Sequence, residues 1–403
     1  MRLLLRCISG LESILEREVR MILGQSRSVI TERPFPCAVS VSGPLLPTDV
    51  YRLHYTSRFV THLWREIGNL DVNHTSMSED RLFSFLTQVD YPKALARNTV
   101  AAFIRNPARV DDLSEALLAR WKTFLADRYG ATFAWDDYQV RLLLVAEKDH
   151  TFRVYAGDGH TSLHIRGLRK KQGVAPMNET LAAAMVSMVP DEAAGQVPVI
   201  DPFCGSGTII LEYLMRRCNV PAQYFNSYYR HFEQRHLRQA SEAFSSCTVG
   251  TGFDEEEWRH TIEQEDSKIS PHHHEFIAGF DKDPRMIQVA ASNLDPLIRL
   301  CDISSVPLQA FDWVKLSQLY SGSPVALITN PPFGLRLTRS EKLVESIKHF
   351  LDVDGSTGVV AVGSPEDVEV LGCDPYGGEV TRTRVANVDT WLCKVVSVCC
   401  GGV

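Results

Sequence analysis

The stretch that most constrains the fold is Val197–Glu212, with the sequence VPVIDPFCGSGTIILE. Its apolar start, Val197–Ile200, predicts a buried parallel strand, and a helical pattern follows at the other end. Between the two lie an acid, Asp201, and two glycines, Gly205 and Gly207. A strand, a glycine turn and a helix in this order form the ligand crevice of a doubly wound α/β sheet. The stretch therefore predicts a binding site at the carboxyl end of a strand.

Two common nucleotide-binding motifs fit this turn poorly. The dinucleotide motif G-x-G-x-x-G requires a third glycine at the position that Ile210 occupies. The P-loop requires a lysine directly after its last glycine, whereas Thr208 follows Gly207. A nicotinamide-dependent dehydrogenase is therefore a disfavoured alternative.

The same stretch resembles the signature of an RNA methylase family within the class I methyltransferases. Every specified position of D-P-x-C-G-[ST]-G-x-x-x-[LI]-E is matched between Asp201 and Glu212. The resemblance implies a Rossmann-like, doubly wound sheet with S-adenosylmethionine (SAM) as the cofactor. The residues that it implies for cofactor binding at this turn are Asp201, Cys204, Gly205, Ser206 and Gly207.

Composition bounds the classes of protein that the chain can be. Its 403 residues are enough for two or three domains. It has no apolar run of about 18 residues, so we expect no membrane span and a cytoplasmic location. Ten cysteines without a C-x-x-C pair indicate reduced thiols. The run His272–His274 lacks H-E-x-x-H spacing, so we expect no metal site.

The front half of the chain predicts an RNA-binding region. Residues 1–175 hold 24 lysines and arginines against 19 acids, whereas the rest of the chain is acidic. The alternation of elements predicts a ferredoxin-like module at 1–70 and a second small module at 71–160, before a catalytic domain at 161–403. Two segments, Tyr51–Arg58 and Leu163–Arg169, resemble the THUMP-containing front half of RNA N2-guanine methyltransferases.

The basic residues of these segments are the predicted RNA contacts, namely Arg52, Arg58, Arg169 and Lys170. The alternative for residues 163–171 is a solvated linker. A further segment, Ala175–Val186, resembles the family's entry into the catalytic domain, and Asn178 is its predicted helix N-cap. The acidic insertion at 254–275 suggests an exposed loop whose role stays open.

Two further acids follow predicted strands. The apolar run Phe276–Phe280 ends at Asp281, and an acid at such a strand end can accept both hydrogen bonds of a ribose diol. Asp283 is the near alternative for that role. The segment 306–311 resembles the family's third strand, so the resemblance implies that Asp312 receives the adenine amino group.

The strongest chemical signal after the glycine turn is Asn330–Pro331–Pro332–Phe333, which directly follows the predicted strand Val325–Thr329. An exocyclic amine on a base is a poor nucleophile, because its lone pair is delocalised into the ring. The side-chain oxygen of Asn330 and the carbonyl of Pro331 can accept the amine hydrogens and direct the lone pair. Pro332 stiffens the turn, and Phe333 offers a stacking face for a flipped base.

This tetrapeptide resembles the amino-methyltransferases, and its continuation Gly334–Arg336 resembles the RNA guanine-N2 branch. The predicted function is therefore methyl transfer from SAM to the N2 amine of a guanosine in ribosomal or transfer RNA, by direct displacement. The alternatives are N6-adenine or N4-cytosine methylation, and a catalytically silent RNA-binding factor with the same fold. Two later regions, 358–363 and 383–398, predict a fifth strand and a closing antiparallel pair. The oligomeric state is left open.

Overall fold

The computed structural model describes most of the chain and divides it into two units. The first unit contains residues 1–7, 12–165 and 226–265, and the second contains residues 8–11, 166–225 and 266–403. The described residues are 1–24, 28–72, 78–96, 98–106, 108, 113–136, 138–147, 151–159, 162–169, 171, 177–189, 197–226, 244–250, 252–271, 277–332, 340–374, 380–385 and 388–396.

The first unit begins with a ferredoxin-like arrangement. Its elements are β1 (Arg2–Arg6), α1 (Glu12–Leu23), β2 (Ile30–Glu32), β3 (Ala38–Ser42), α2 (Pro47–Thr56) and β4 (His62–Asp71). These strands pair antiparallel in the order β2–β3–β1–β4. Helix α1 forms because its apolar residues recur at helical spacing and are buried on one face, as Ile14, Leu15 and Val19 show. The β-α-β-β-α-β order is the predicted ferredoxin-like one.

The same sheet continues beyond β4. The next elements are α3 (Glu79–Gln88), a 3-10 turn (Lys93–Ala96), β5 (Thr99–Arg105), α4 (Glu115–Tyr129), β6 (Thr132–Phe133), β7 (Val140–Ala146) and β8 (Thr151–Asp158). The hydroxyl of Ser114 caps α4 by accepting from the Leu117 amide at 3.0 Å, and Gly130 ends the helix with φ +69°. The fully buried Trp121 anchors α4 in the core of this half.

The structure divides the front half differently from the predicted modules. Strand β8 pairs with β4, so modules 1–70 and 71–160 share one eight-stranded sheet with the order β2–β3–β1–β4–β8–β7–β5–β6. In an isolated four-stranded module, β4 would be an edge strand with unpaired backbone N–H and C=O groups. Strand β8 forms hydrogen bonds with those groups. Residues 1–160 therefore do not separate into two compact bodies.

The second unit is built on a seven-stranded sheet. Its strands are β9 (Val199–Asp201), β10 (Ile277–Asp281), β11 (Leu308–Ala310), β12 (Ala326–Thr329), β13 (Thr357–Val362), β14 (Val380–Val385) and β15 (Val388–Val396). They are arranged as β11–β10–β9–β12–β13–β15–β14, and β15 runs antiparallel to both of its neighbours. The strand order reverses beside β9, as in a doubly wound sheet. The predicted class I methyltransferase fold is confirmed, including its closing antiparallel pair.

The helices of the second half of the chain cover this sheet or continue the first unit. They are α5 (Glu179–Met188), α6 (Thr208–Arg217), α7 (Glu255–Asp266), α8 (Pro284–Leu300), α9 (Trp313–Leu319), α10 (Ser340–Leu351) and α11 (Pro365–Val370). Asn178 caps α5 as predicted, because its side-chain oxygen accepts from the amides of Thr180 and Leu181 at 2.9 and 3.4 Å.

The insertion between α6 and β10 is the second difference from the predicted domains. Residues 226–265 belong to the first unit rather than to the catalytic domain assigned to 161–403. Trp258 of α7 is fully buried, and its ring centroid lies 5.2 Å from that of Tyr51 on α2. Phe244 contacts both rings. Phe244 and Trp258 therefore serve packing, and the compact first unit depends on a segment that is remote in sequence.

A buried ion pair fixes the start of the second unit to its first long helix. The Nε atom of Arg166 donates to Glu212 of α6 at 2.9 Å, and the two side chains are 3% and 1% exposed. Burying two charges is costly, and each one relies on the other for compensation. Loss of either partner would therefore leave the other charge buried and destabilise the protein.

We expect Glu212→Ala to destabilise the protein by about 3–5 kcal/mol, because it leaves the Arg166 guanidinium buried without that carboxylate. Thermal and urea unfolding, followed by circular dichroism, measure the change. The matched control is Glu255→Ala, which removes an exposed pair with Arg259 on α7 and should cost under about 1 kcal/mol. Equal effects of the two variants would contradict the assigned role of the buried pair.

Candidate active site

The glycine turn after β9 has the backbone that the sequence predicted. Gly205 and Gly207 have φ of +52° and +84°, in the left-handed region that favours glycine. No atom lies within 4 Å of a Cβ built on Gly205, whereas one built on Gly207 would lie 3.2 Å from the Cβ of Ala290. Gly205 thus leaves room for a ligand, and Gly207 allows α6 to begin close against α8.

Asp281, at the end of β10, joins this turn to the neighbouring loop. One of its oxygens accepts from the Gly205 amide at 3.1 Å, and the other accepts from the Asp283 amide at 2.8 Å. The residue is only partly buried, so its carboxylate retains access to solvent. Each oxygen of a carboxylate can accept more than one hydrogen bond. Asp281 is therefore positioned and still able to bind a ligand.

The other two predicted acids have structural roles. Asp283 caps α8 by accepting from the Arg285 amide at 2.9 Å, and the Arg285 guanidinium and amide hold its pKa below the usual range. Asp312 caps α9 by accepting from the Val314 amide at 3.0 Å. Because Asp283 already has these partners, the geometry favours Asp281 over Asp283 for the ribose. A cofactor role for Asp312 stays a prediction.

Asp201 is the most unusual residue of the site. It is 1% exposed, and its Oδ1 atom accepts from the Phe203 amide at 3.2 Å and from the Thr329 hydroxyl at 3.1 Å. Its Oδ2 atom is buried and has no hydrogen-bond partner among the described residues. Burial, with a smaller contribution from Asp281, raises the pKa of the carboxyl to about 7. The group is therefore poised between its neutral and charged forms at neutral pH.

The Thr329 hydrogen bond brings the two predicted motifs together. Strand β12 pairs directly with β9 in parallel, so the carboxyl ends of both strands lie at one edge of the sheet. Thr329 is the last residue of β12, and Asn330 follows it. Asn330 is partly buried, Pro331 is buried and Pro332 is exposed. Phe333 lies outside the described residues.

Cys204 and Ser206 line the turn without a nucleophilic role. Burial raises the pKa of the Cys204 thiol far above its ordinary value, so the thiol stays neutral. The carbonyl of Ser206 accepts from the buried side chain of Asn293 on α8 at 3.1 Å. The sequence analysis missed Asn293. The available signal was a polar residue among Ala290, Leu294 and Leu297 on the apolar face of that helix.

The arginines predicted to bind RNA are largely engaged inside the protein. Arg52 forms an ion pair with Glu265 at 2.9 Å. Arg169 pairs with Glu179 at 2.9 Å and is about one-tenth exposed. Arg58 is partly buried, and Lys170 lies outside the described residues. Arg52 and Arg169 are thus both paired with carboxylates within the fold, and their contacts with RNA stay a prediction.

The described residues contain neither a metal-ligating cluster nor a helix able to span a membrane. Within those ranges no group of three or more His, Cys, Asp and Glu side chains is placed to hold a metal ion. Residues 272–274 fall outside them. No helix of the described part has the length and apolar character needed to cross a bilayer.

Comparison with known proteins places the glycine turn and the Asn330 turn in one domain. Residues 166–353 match the model of the UPF0020 family, an RMKL-like methyltransferase domain. The ribosomal RNA large subunit methyltransferase K/L of Psychrobacter arcticus is 25% identical over 404 residues, a region that covers 92% of this chain and 50% of that protein. This chain therefore spans about half the length of the curated relatives that it matches.

Solved structures support the fold over the whole chain. The protein SMU.472, crystallised in complex with SAH, has a TM-score of 0.71 at 17% identity, and the match covers 98% of both chains. TrmN from Thermus thermophilus has a TM-score of 0.64 at 16% identity, covering 98% of this chain and 99% of its own. At these identities the likeness establishes the fold, and both units take part in it.

The raised pKa of Asp201 makes stability depend on pH. The folded state retains a proton that the unfolded state releases near pH 4, so the contribution to stability is present in acid and is lost as pH rises to about 7. Asp201→Asn cannot titrate. Relative to the parent, this variant should gain stability between pH 5 and 8, by roughly 3 kcal/mol. Urea unfolding at both pH values measures this trend, and parallel pH profiles would contradict it.

Proposed function

We propose that this chain is a SAM-dependent RNA methyltransferase that acts on the N2 amine of a guanosine in large-subunit ribosomal RNA. The observation that carries the proposal is the Thr329–Asp201 hydrogen bond, which fixes the Asn330 turn beside the glycine turn. The RMKL-like methyltransferase model covers both turns. The ribosomal RNA assignment rests on the named relatives, which are longer than this chain.

The residues at the strand ends fit a cationic, ribose-bearing cofactor. Asp281 offers a partly exposed carboxylate, and the Cβ position of Gly205 is open. The unpartnered Oδ2 atom of Asp201 adds a second acceptor. SAM carries an ammonium and a sulfonium, whereas a dinucleotide would bring phosphates toward these acids. The donor set therefore suits SAM, with Asp281 at the ribose and the 205–207 turn beside the methionine part.

The protein's own contribution to the reaction is positioning. SAM, when bound, supplies an electrophilic methyl group. The side-chain oxygen of Asn330 and the carbonyl of Pro331 accept hydrogen bonds from the target amine and orient its lone pair. Burial of Pro331 holds this carbonyl in place, and the Thr329 hydroxyl anchors the turn to Asp201. Such preorganised acceptors act without reorganising during the reaction.

We propose that the first unit binds the RNA. Its likeness to THUMP-containing proteins rests on the sequence resemblance alone. Its eight-stranded sheet and the packed 226–265 segment form one body, so we propose that the whole of it presents the RNA. A ribosomal RNA substrate agrees with the predicted cytoplasmic location, which stays a prediction.

Asp281→Ala should weaken SAM binding about tenfold to a hundredfold, because it removes a charged partner of two ribose hydroxyls. Isothermal titration calorimetry on the folded variant measures the affinity. The matched control is Asp283→Ala, which removes a helix cap and should lower stability by about 1 kcal/mol while changing SAM affinity little. Unchanged affinity in Asp281→Ala would overturn the ribose assignment.

Asn330→Ala should lower kcat by roughly 30- to 1,000-fold with SAM affinity nearly intact, because the lost acceptor acts mainly as the amine reorients. The assay follows labelled methyl transfer to ribosomal RNA and then digests the product to nucleosides. Asn69→Ala, at an exposed asparagine of β4, is the matched control and should retain parental kcat.

The same digestion separates the alternatives. Label in N2-methylguanosine supports the proposal. Label in N6-methyladenosine or N4-methylcytidine would change the substrate assignment and keep the role of Asn330. Absence of label on every RNA, with SAM bound, would favour the catalytically silent RNA-binding factor.

A further inference from the structure

One face of the eight-stranded sheet in the first unit carries two contrasting groups of arginines. Every second residue along a strand lies on the same face. Arg6 of β1 pairs with His62 of β4, and Arg141 of β7 pairs with Gly157 of β8 on one side and Ala101 of β5 on the other. At the other end of this face, Arg2 and Arg153 both pair with Glu66 and Glu147. Those two arginines are neutralised.

Arg141 lies in a different environment. Its guanidinium carbon lies 5.6, 5.3 and 5.0 Å from the ring centroids of Trp64, Phe103 and Tyr138. Its Nε atom is buried and has no hydrogen-bond partner among the described residues. Arg141 is therefore enclosed by aromatic rings, and no ion pair joins it to a described carboxylate.

Two glycines of the β8 region make this arrangement possible. A Cβ on Gly157 would lie 2.2 Å from the Cδ1 atom of Trp64, and one on Gly159 would lie 2.3 Å from the Cδ2 atom of Tyr138. Such distances are far below van der Waals contact. The aromatic rings therefore occupy the space that side chains of β8 would otherwise fill.

The charges around Arg141 are mostly of the same sign. Burial is the main cause that lowers its pKa to about 10, and Arg6 and Arg105 contribute in the same direction, while Asp158 opposes them. Holding like charges together is unfavourable unless an anion joins them. Arg105 is exposed, and Arg6 is partly exposed. This cluster has the electrostatics of a phosphate site.

An exposed ring extends the cluster. Trp135 is 74% exposed, and its ring centroid lies 6.3 Å from that of Phe103. The ammonium of Lys122 lies 5.0 Å from the same tryptophan ring. All six tryptophans belong to the described part of the chain, and the other five are buried, at 7% exposure or less. A large aromatic face open to solvent beside cations is suited to stacking with a base.

We propose that this arginine–aromatic face binds an unpaired segment of RNA, with a base stacked on Trp135 and phosphates held by the arginines. The face is defined by Arg6, Phe103, Arg105, Tyr138 and Arg141, together with Trp135 after the edge strand β6 and the nearby Lys122 of α4. The inference rests on the proposed function for its RNA partner. A base inside a duplex hides both of its faces, so the exposed ring selects single-stranded nucleotides, while the cations alone would accept either form.

Tryptophan fluorescence tests the proposal directly on the full chain, because Trp135 dominates the solvent-exposed emission. A single-stranded octaadenylate should quench the red-shifted emission, and a blunt RNA duplex of the same length should not. Trp135→Phe should lose this quenching signal. Equal quenching by the two RNAs, or none by either, would overturn the unpaired-base assignment.

Trp135→Ala should weaken binding of labelled octaadenylate, measured by fluorescence anisotropy, about 5- to 150-fold. Because position 135 is exposed, we expect the variant to fold as the parent does, and thermal unfolding checks this. Met21→Ala, at a residue of α1 that is 66% exposed, is the matched control and should bind as the parent does. Parental affinity in folded Trp135→Ala would overturn the proposal.

A second variant tests the phosphate contacts. Arg105→Gln should reduce the slope of log affinity against log salt by about one, whereas Arg128→Gln, at an exposed arginine of α4, should leave it unchanged. Equal slopes in these two variants would overturn the phosphate assignment.

Failure of this proposal is distinguishable from failure of the proposed function. RNA methylation with unchanged oligonucleotide binding in Trp135→Ala would overturn the present inference alone. Octaadenylate binding that depends on Trp135, in a chain that methylates no RNA, would overturn the enzyme assignment alone.

Discussion

The candidate site depends on one hydrogen bond between two strand ends. The Thr329 hydroxyl donates to Asp201, and Asp201 also accepts from the Phe203 amide at the start of the glycine turn. Because the acceptor is a buried carboxyl, the bond operates away from water, where hydrogen bonds are stronger and unpaired groups costlier. The relative position of the Gly205 turn and Asn330 follows from this contact. Without this hydrogen bond, the Gly205 turn and Asn330 would share an edge of the sheet, but their relative position would be less well defined.

The same carboxyl is left incomplete. Its second oxygen has no hydrogen-bond partner in the part of the chain that the structure describes, and burial raises the pKa of the carboxyl to about 7. Buried polar groups are normally satisfied, and exceptions concentrate at functional sites, where a ligand completes them. The Asp281 carboxylate adds to the raised pKa of Asp201, so two acids act on each other at this edge of the sheet. The arrangement favours a cationic ligand and disfavours an anionic one.

The charges of the two units show that a sequence count of basic residues does not locate a binding surface. Arg52 and Arg169 stand in basic stretches, yet each is paired with a glutamate contributed from elsewhere in its own unit. Arg141 stands alone in an apolar strand, and the fold surrounds it with rings and like charges. Whether a cation is free for RNA is decided by the carboxylates that approach it in space.

The sequence by itself determined the local elements of the second unit and the chemistry of its turns. The spacing of Asp201, Gly205 and Gly207 specifies a strand, a left-handed turn and a helix, because only glycine adopts those φ values without strain. The sequence likewise predicted Asp281 at the end of β10 and the Asn330–Pro331 turn after β12. Tertiary structure decided that Asp281 holds the Gly205 amide, a contact between residues 76 positions apart, whereas Asp283 caps its own helix through the local Arg285 amide. It also joined 226–265 to the first unit and gathered Phe103, Trp135 and Arg141, because contacts between residues distant in the chain leave no periodic trace in the sequence.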